Sequence, residues 1–175
     1  MGGGWKGSTE AEEPEELPSR AKVVFDSLKQ YNFDLKDLML ISEPGRYFND
    51  HTITMVTPVF NAKEYEDRMV YTLSEGIYGG FKEHFLSDIE YEPEVLTQRI
   101  PCKEPKLSSI QGPSGHLNDV VKVETQLPPL SPGDLIIWKN AGAYTMSEAS
   151  KCVRDHYHQN IFFVRRSSLS ENFSL

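Results

Sequence analysis

Between residues 52 and 164 the chain is cut by proline and glycine into short β-branched and apolar runs, which narrows the available folds more than any other feature. Residues 52–60 are β-branched and apolar, and residues 68–73 alternate. Residues 107–111, 120–125, 134–139 and 161–164 are further short runs of the same kind. Such residues suit a pleated, half-buried surface. The spacers Gly112-Pro113 and Pro128-Pro129-Leu130-Ser131-Pro132-Gly133 interrupt helix and strand alike. Several short strands separated by turn signals predict a mainly β fold, a compact barrel or sandwich. The charged, proline-bearing stretch 83–105 is expected to be a long loop.

The segment ahead of these runs has a different period. Ser19 is a candidate cap for a helix running to about Tyr31, with Ala21, Phe25 and Leu28 on one face and Val24 and Tyr31 beside it. Leu38-Met39-Leu40-Ile41 is an unbroken apolar run, expected as a strand buried on both faces. After Ser42 comes Glu43-Pro44-Gly45-Arg46-Tyr47. A carboxylate, a glycine turn and an arginine after such a strand occupy the place where α/β enzymes build sites. A turn with a surface ion pair explains the same five residues equally well. Upstream, the run Gly2-Gly3-Gly4 would let backbone amides approach an anion closely, or would serve as a plain flexible leader. Residues 9–18 are acidic and hold Pro14 and Pro18, which reads as a solvated loop.

A chain of 175 residues can bury one ordinary core. Its formal net charge of −8 argues against nucleic acid and anionic membrane surfaces as partners. No apolar run approaches a membrane span, and no charged-then-apolar leader opens the chain. Cys102 and Cys152 are the only cysteines, which suits a reduced, cytoplasmic protein. His156 and His158 lie near Cys152 and Asp155, but the spacing matches no standard zinc pattern, so no metal is expected.

Gly2-Gly3-Gly4, Glu43-Pro44-Gly45-Arg46-Tyr47 and Asn140-Ala141-Gly142-Ala143-Tyr144 resemble, in order, three signatures of the pyridoxal-phosphate-dependent ornithine decarboxylase family. This is the ornithine, lysine, arginine and diaminopimelate decarboxylase group, which includes inactive antizyme-inhibitor-like members. Glu75-Gly76-Ile77-Tyr78-Gly79-Gly80-Phe81 resembles a fourth signature, D-G-[VI]-Y-G-x-F, with Glu75 in place of the aspartate. Pro132-Gly133-Asp134 and Ile161-Phe162-Phe163-Val164 also match in order. The resemblance implies a remnant of a cofactor-binding (β/α)8 barrel over residues 1–48, a β-domain over 49–165 and a disordered tail over 166–175. It covers the back half of a family member.

The cofactor needs a lysine for its imine, a carboxylate at the ring nitrogen, donors for its phosphate, and groups that orient the substrate. The resemblance assigns Glu43 to the ring nitrogen. It assigns Arg46, Gly3, Gly4 and the hydroxyl of Tyr144 to the phosphate. A packed aromatic is the alternative for Tyr144. Three departures stand out. The family's imine-forming lysine lies upstream of the glycine run, where this sequence has only Met1. The family's catalytic Cys-Asp pair follows Gly-Pro-Thr or a close variant; here Gly112-Pro113-Ser114 is followed by Gly115 and His116. The aspartate that grips the distal amine of ornithine aligns with Ser87, and Asp88, one residue on, becomes the candidate.

The resemblance therefore implies a truncated ornithine-decarboxylase-like protein tied to putrescine synthesis and catalytically inactive by itself. It implies pyridoxal phosphate as the family cofactor, not held stably by this chain. Two alternatives stay open: a piece of a longer pyridoxal-phosphate-dependent decarboxylase, or a β-domain acting as a dimerisation or regulatory module. A homodimer, or a heterodimer with a full-length family member, is the expected partnership. The family's antizyme-contacting surface lies in the barrel portion, so antizyme binding is not expected to carry over.

Overall fold

The computed structural model describes residues 2–7, 16–34, 36–87, 89–96, 104–150 and 160–164. Helix α1 spans Glu16–Gln30 and the short helix α2 spans Gly45–Asn49, followed by a 3-10 turn at Asp50–Thr52. Strand β1 is Met55–Glu64 and β2 is Met69–Leu73. Helix α3 (Lys82–Ser87) and strand β3 (Pro93–Val95) come next. Strands β4 (Lys106–Gln111), β5 (Val120–Leu127) and β6 (Leu135–Trp138) complete the fold.

The strands form one six-stranded sheet in the order β3-β6-β1-β2-β4-β5. All pairings are antiparallel except β2 with β4, where Met69 opposes Ser108 and Tyr71 opposes Ile110. Parallel neighbours need a long crossover. Residues 74–105 supply it, and both α3 and β3 lie within it. The two edge strands come together through Lys122 of β5. Its ammonium donates to Glu90 and to Glu92, just ahead of β3, at 2.7 Å each, and its side chain is only 14% exposed. The result is a nearly closed, barrel-like sheet.

The core follows from alternation. In β2, Met69, Tyr71 and Leu73 point inward while Val70 and Thr72 are half-covered. Trp138, Phe81, Ile110, Ile136, Val59 and Val121 join them, essentially without solvent contact. Full burial of each aliphatic or aromatic side chain of this size is worth about 1.5–3 kcal/mol. Phe81 packs edge-on against Trp138 at 4.8 Å and Tyr91 at 5.6 Å between ring centres. The polar tips are satisfied: the Trp138 indole donates to Thr57 Oγ1 at 2.8 Å, and the Tyr71 hydroxyl accepts from the Leu130 amide at 3.0 Å.

Several sequence expectations need correction. Residues 38–41 are in no regular element, and Met39, Leu40 and Ile41 are exposed. A strand is defined by its ladder with neighbours, not by composition alone. The described residues of 1–48 hold α1 and most of α2 and no strand, so the (β/α)8 remnant expected there is not shown. Helix α1 starts at Glu16, so Ser19 lies inside it rather than capping it, and Pro18 sits in the first turn, where its missing N–H is tolerated. Its expected apolar face is only half-covered, and Phe25 and Tyr31 are exposed. Residues 161–164 are exposed and are not assigned to a strand among the described residues. The expected loop at 83–105 contains α3 and β3, both too short for a periodic signal. Asp88, Cys102, Cys152, Asp155, His156, His158 and the tail beyond residue 164 lie outside the described residues.

Candidate functional site

Pro44 leads into α2, whose single turn brings Arg46 and Asp50 onto one face, four residues apart. The Arg46 guanidinium donates to Asp50 Oδ1 at 3.2 Å. Its other terminal nitrogen donates to Glu83 Oε1 from the first turn of α3. All three residues are buried. Buried charges are stable only when paired, and a guanidinium fork suits two carboxylates. The cluster holds one positive and two negative side chains. Tyr91 packs beside it. Burial first, and then the negative charge of Glu83, push its hydroxyl up to about 12.

Two remote segments close on the same place. From the glycine-rich start, the Gly7 amide donates to Asp50 Oδ2 at 2.9 Å. Gly3 lies so close to the Glu43 carbonyl that a Cβ on it would fall 1.9 Å from that oxygen. From the other end, Tyr144 places its ring 5.1 Å from Arg46 Cζ, a cation–π contact. Tyr144 and Asn140 both adopt positive φ, at +57° and +59°. The loop is locked onto α2 and the 3-10 turn: Gly142 N donates to Asp50 O at 3.0 Å and Ala141 N to Ile53 O at 2.9 Å. Asn140 Oδ1 lies 2.5 Å from His51 Nδ1.

The structure therefore gathers Gly3, Glu43, Arg46 and Tyr144, drawn from three separated motifs, around one cluster. Gly4 is exposed with φ +82°, and Glu43 keeps an exposed side chain. Glu75, the substituted position of the fourth motif, is buried and accepts from the Gly80 amide at 2.9 Å, closing the turn that leads into α3. Sequence reading missed Asp50 and Glu83. Asp50 was discoverable as an i,i+4 partner of Arg46, whereas Glu83 has no local link to it.

A second constellation surrounds the 112–116 loop. Asp119, 2% exposed, accepts from the Ile77 amide at 2.9 Å and the Ser114 amide at 3.0 Å, tying that loop to the 75–81 turn. Gly115 has φ +71°. His116 Nδ1 lies 3.1 Å from the Tyr78 hydroxyl, with the rings edge-to-face. Asp119 was also missed, because its role is to collect backbone amides from distant turns.

The family profile described as pyridoxal-dependent decarboxylase, C-terminal sheet domain, matches residues 25–142. Ornithine decarboxylase 2 of Drosophila melanogaster is 38% identical over 128 residues, covering 69% of this chain and 32% of that protein. Antizyme inhibitor 2 of Xenopus laevis is 28% identical over 163 residues, covering 86% of this chain and 35% of that one. The chain thus spans about a third of the length of these curated relatives. Among solved structures, the lysine/ornithine decarboxylase of Vibrio vulnificus, complexed with cadaverine, superposes with a TM-score of 0.70 at 28% identity, covering 85% of this chain and 39% of that one. With the profile spanning most of the chain and the sheet superposing on that of a decarboxylase, this chain belongs to the pyridoxal-dependent decarboxylases, through their C-terminal sheet domain.

Proposed function

We propose that this chain is an ornithine-decarboxylase-like protein of polyamine metabolism that does not decarboxylate ornithine by itself. The names of its relatives, ornithine decarboxylase and antizyme inhibitor, support the metabolic setting. The observation that carries the inactivity is the 112–116 loop. The resemblance aligns the family's Cys-Asp pair with Gly115 and His116. Glycine has no group to move a proton. The His116 ring is engaged by the Tyr78 hydroxyl. Gly3, Gly4, Glu43, Arg46 and Tyr144 are the positions that the resemblance assigns to the cofactor, with Asp88 its candidate for the substrate amine. The setting we assign is the cytoplasm.

Purified chain incubated with ornithine and pyridoxal phosphate should form putrescine only at the rate of a protein-free control. Gly115→Cys should restore nothing. Putrescine above that control from the unmodified chain contradicts the proposal.

A second reading, an association module, is favoured by the exposed apolar run at 38–41, where Met39 is 86% and Ile41 61% exposed. Apolar surface of this kind suits a partner, and a second copy of this chain or a longer family member is the occupant we assign. Sedimentation velocity should show self-association that weakens in Met39→Lys. A monomer at every concentration excludes the homotypic form.

A further inference from the structure

The reading above makes Arg46 a phosphate-side residue, and the geometry bears directly on whether it can act as one. An arginine that takes a phosphate offers its guanidinium fork to the anion's oxygens. In this chain one terminal nitrogen of that fork is held by Asp50 at 3.2 Å and the other by Glu83. These are not surface pairs that water screens: the three side chains are 9%, 12% and 5% exposed. Asp50 is fixed further by the Gly7 amide, and Glu83 by its place in α3. The guanidinium carbon also lies over the Tyr144 ring, 5.1 Å from its centre. The residues present therefore do not fit a phosphate-bearing cofactor at Arg46. A phosphate dianion arriving there would meet two buried carboxylates against a single cation.

We propose that Glu83 is a built-in occupant of the Arg46 anion site, so that this chain excludes phosphate groups from the position the resemblance assigns to the cofactor phosphate. The inference rests on the family reading of Arg46 and specifies it. Glu83 does the work a bound anion would do. It neutralises the guanidinium, and it pins α2 to α3 across 37 residues of sequence. Asp50 caps the C-terminal end of Arg46's helix and also anchors the glycine-rich start, so Glu83 is the member whose change opens the site. Removing its charge leaves Arg46 with one carboxylate and one free direction, and a dianion then gains more than it loses.

The test uses the whole chain and inorganic phosphate as the probe, at constant ionic strength set with chloride. A ligand that binds the folded state raises the unfolding midpoint with its concentration. The wild-type midpoint should rise in phosphate no more than that of Arg46→Gln, the general stabilisation that an excluded salt gives any fold. Glu83→Gln, which keeps shape and hydrogen bonding, should unfold several degrees higher in phosphate than in chloride. The double variant Glu83→Gln with Arg46→Gln should lose that gain. A phosphate-specific rise in wild type that Arg46→Gln abolishes overturns the proposal, as does a folded Glu83→Gln that ignores phosphate. Should Glu83→Gln fail to fold, the Arg46 side-chain N–H signal of wild type, followed by NMR during phosphate titration, decides alone: unmoved supports the proposal, and shifted overturns it. Phosphate binding by a wild-type chain that makes no putrescine sinks this inference only. Putrescine formation sinks the non-catalytic reading instead.

Discussion

At Arg46 the sequence shows the residue but not the partners that surround it. Its position after Pro44-Gly45 marked it as a site candidate. What decides its behaviour is Glu83, whose approach depends on the crossover that carries α3. A carboxylate 37 residues away leaves no periodic trace in a sequence. Because breaking a buried pair strands the remaining charge, Arg46→Ala should cost about 3–5 kcal/mol in urea-unfolding free energy. A loss under about 1 kcal/mol would mean the cluster is solvated. Tyr91 offers a second check. Its hydroxyl is pushed up to about 12 by burial and the neighbouring Glu83 charge, from an ordinary value of 10.0. A raised value means the neutral phenol is favoured in the fold. That contribution to stability is complete below pH 10 and is lost as the pH rises through 12. Tyr91→Phe should flatten this alkaline decline, as read by unfolding midpoints across that range. An unchanged decline would place the loss elsewhere.

Among the elements, strands β1, β2, β4, β5 and β6 were legible because each presents β-branched or alternating residues bounded by proline or glycine. Strand β3 was not, since three residues cannot display a period. The runs at 38–41 and 161–164 carry strand-like composition yet form none, because pairing depends on neighbours rather than on the run itself. The contact between α2 and the 140–144 loop rests on close approach: a Cβ on Gly142 would lie 1.7 Å from the Asn49 carbonyl oxygen. Gly142→Ala should therefore force the loop off α2 and cost about 1–3 kcal/mol, as overpacking does. It should also disturb the Tyr144 ring over Arg46. Calorimetry showing an unchanged midpoint would contradict that packing. The seam between β3 and β5 is the other place where elements depend on a few side chains. Burial lowers the Lys122 ammonium, but hydrogen bonds to Glu90 and Glu92 outweigh it and raise it overall. Glu90 is held below its ordinary value by Lys122. The seam's contribution is thus present at neutral pH. It fades as the pH falls through the acidic range, where Glu90 protonates, and again above the ordinary lysine range, where Lys122 loses its proton. Lys122→Gln should speed amide exchange in β3 and β5 at neutral pH while sparing β1 and β2. Uniform protection across the sheet would contradict this.

For the molecule as a whole, the mainly β fold was readable from punctuation, and the family from motifs in order. The convergence of residues 2–7, 43–50 and 140–144 needed the structure, because the first and last of these segments lie more than 130 positions apart in the sequence. Asp119 likewise gained its meaning only when the 75–81 and 112–116 turns were brought together. No helix among the described residues is long and apolar enough to cross a membrane. The chain is a decarboxylase-family sheet domain in which Arg46 is buried between two carboxylates and the 112–116 loop carries Gly115 at positive φ. The most direct measurement is titration of the purified 175-residue chain with pyridoxal phosphate. It is followed by visible absorbance and by intact mass after borohydride treatment. The expected result is the spectrum of free cofactor and an unmodified protein mass at every ratio. A saturable new absorbance band, fixed by borohydride as a single adduct on one lysine, would contradict it.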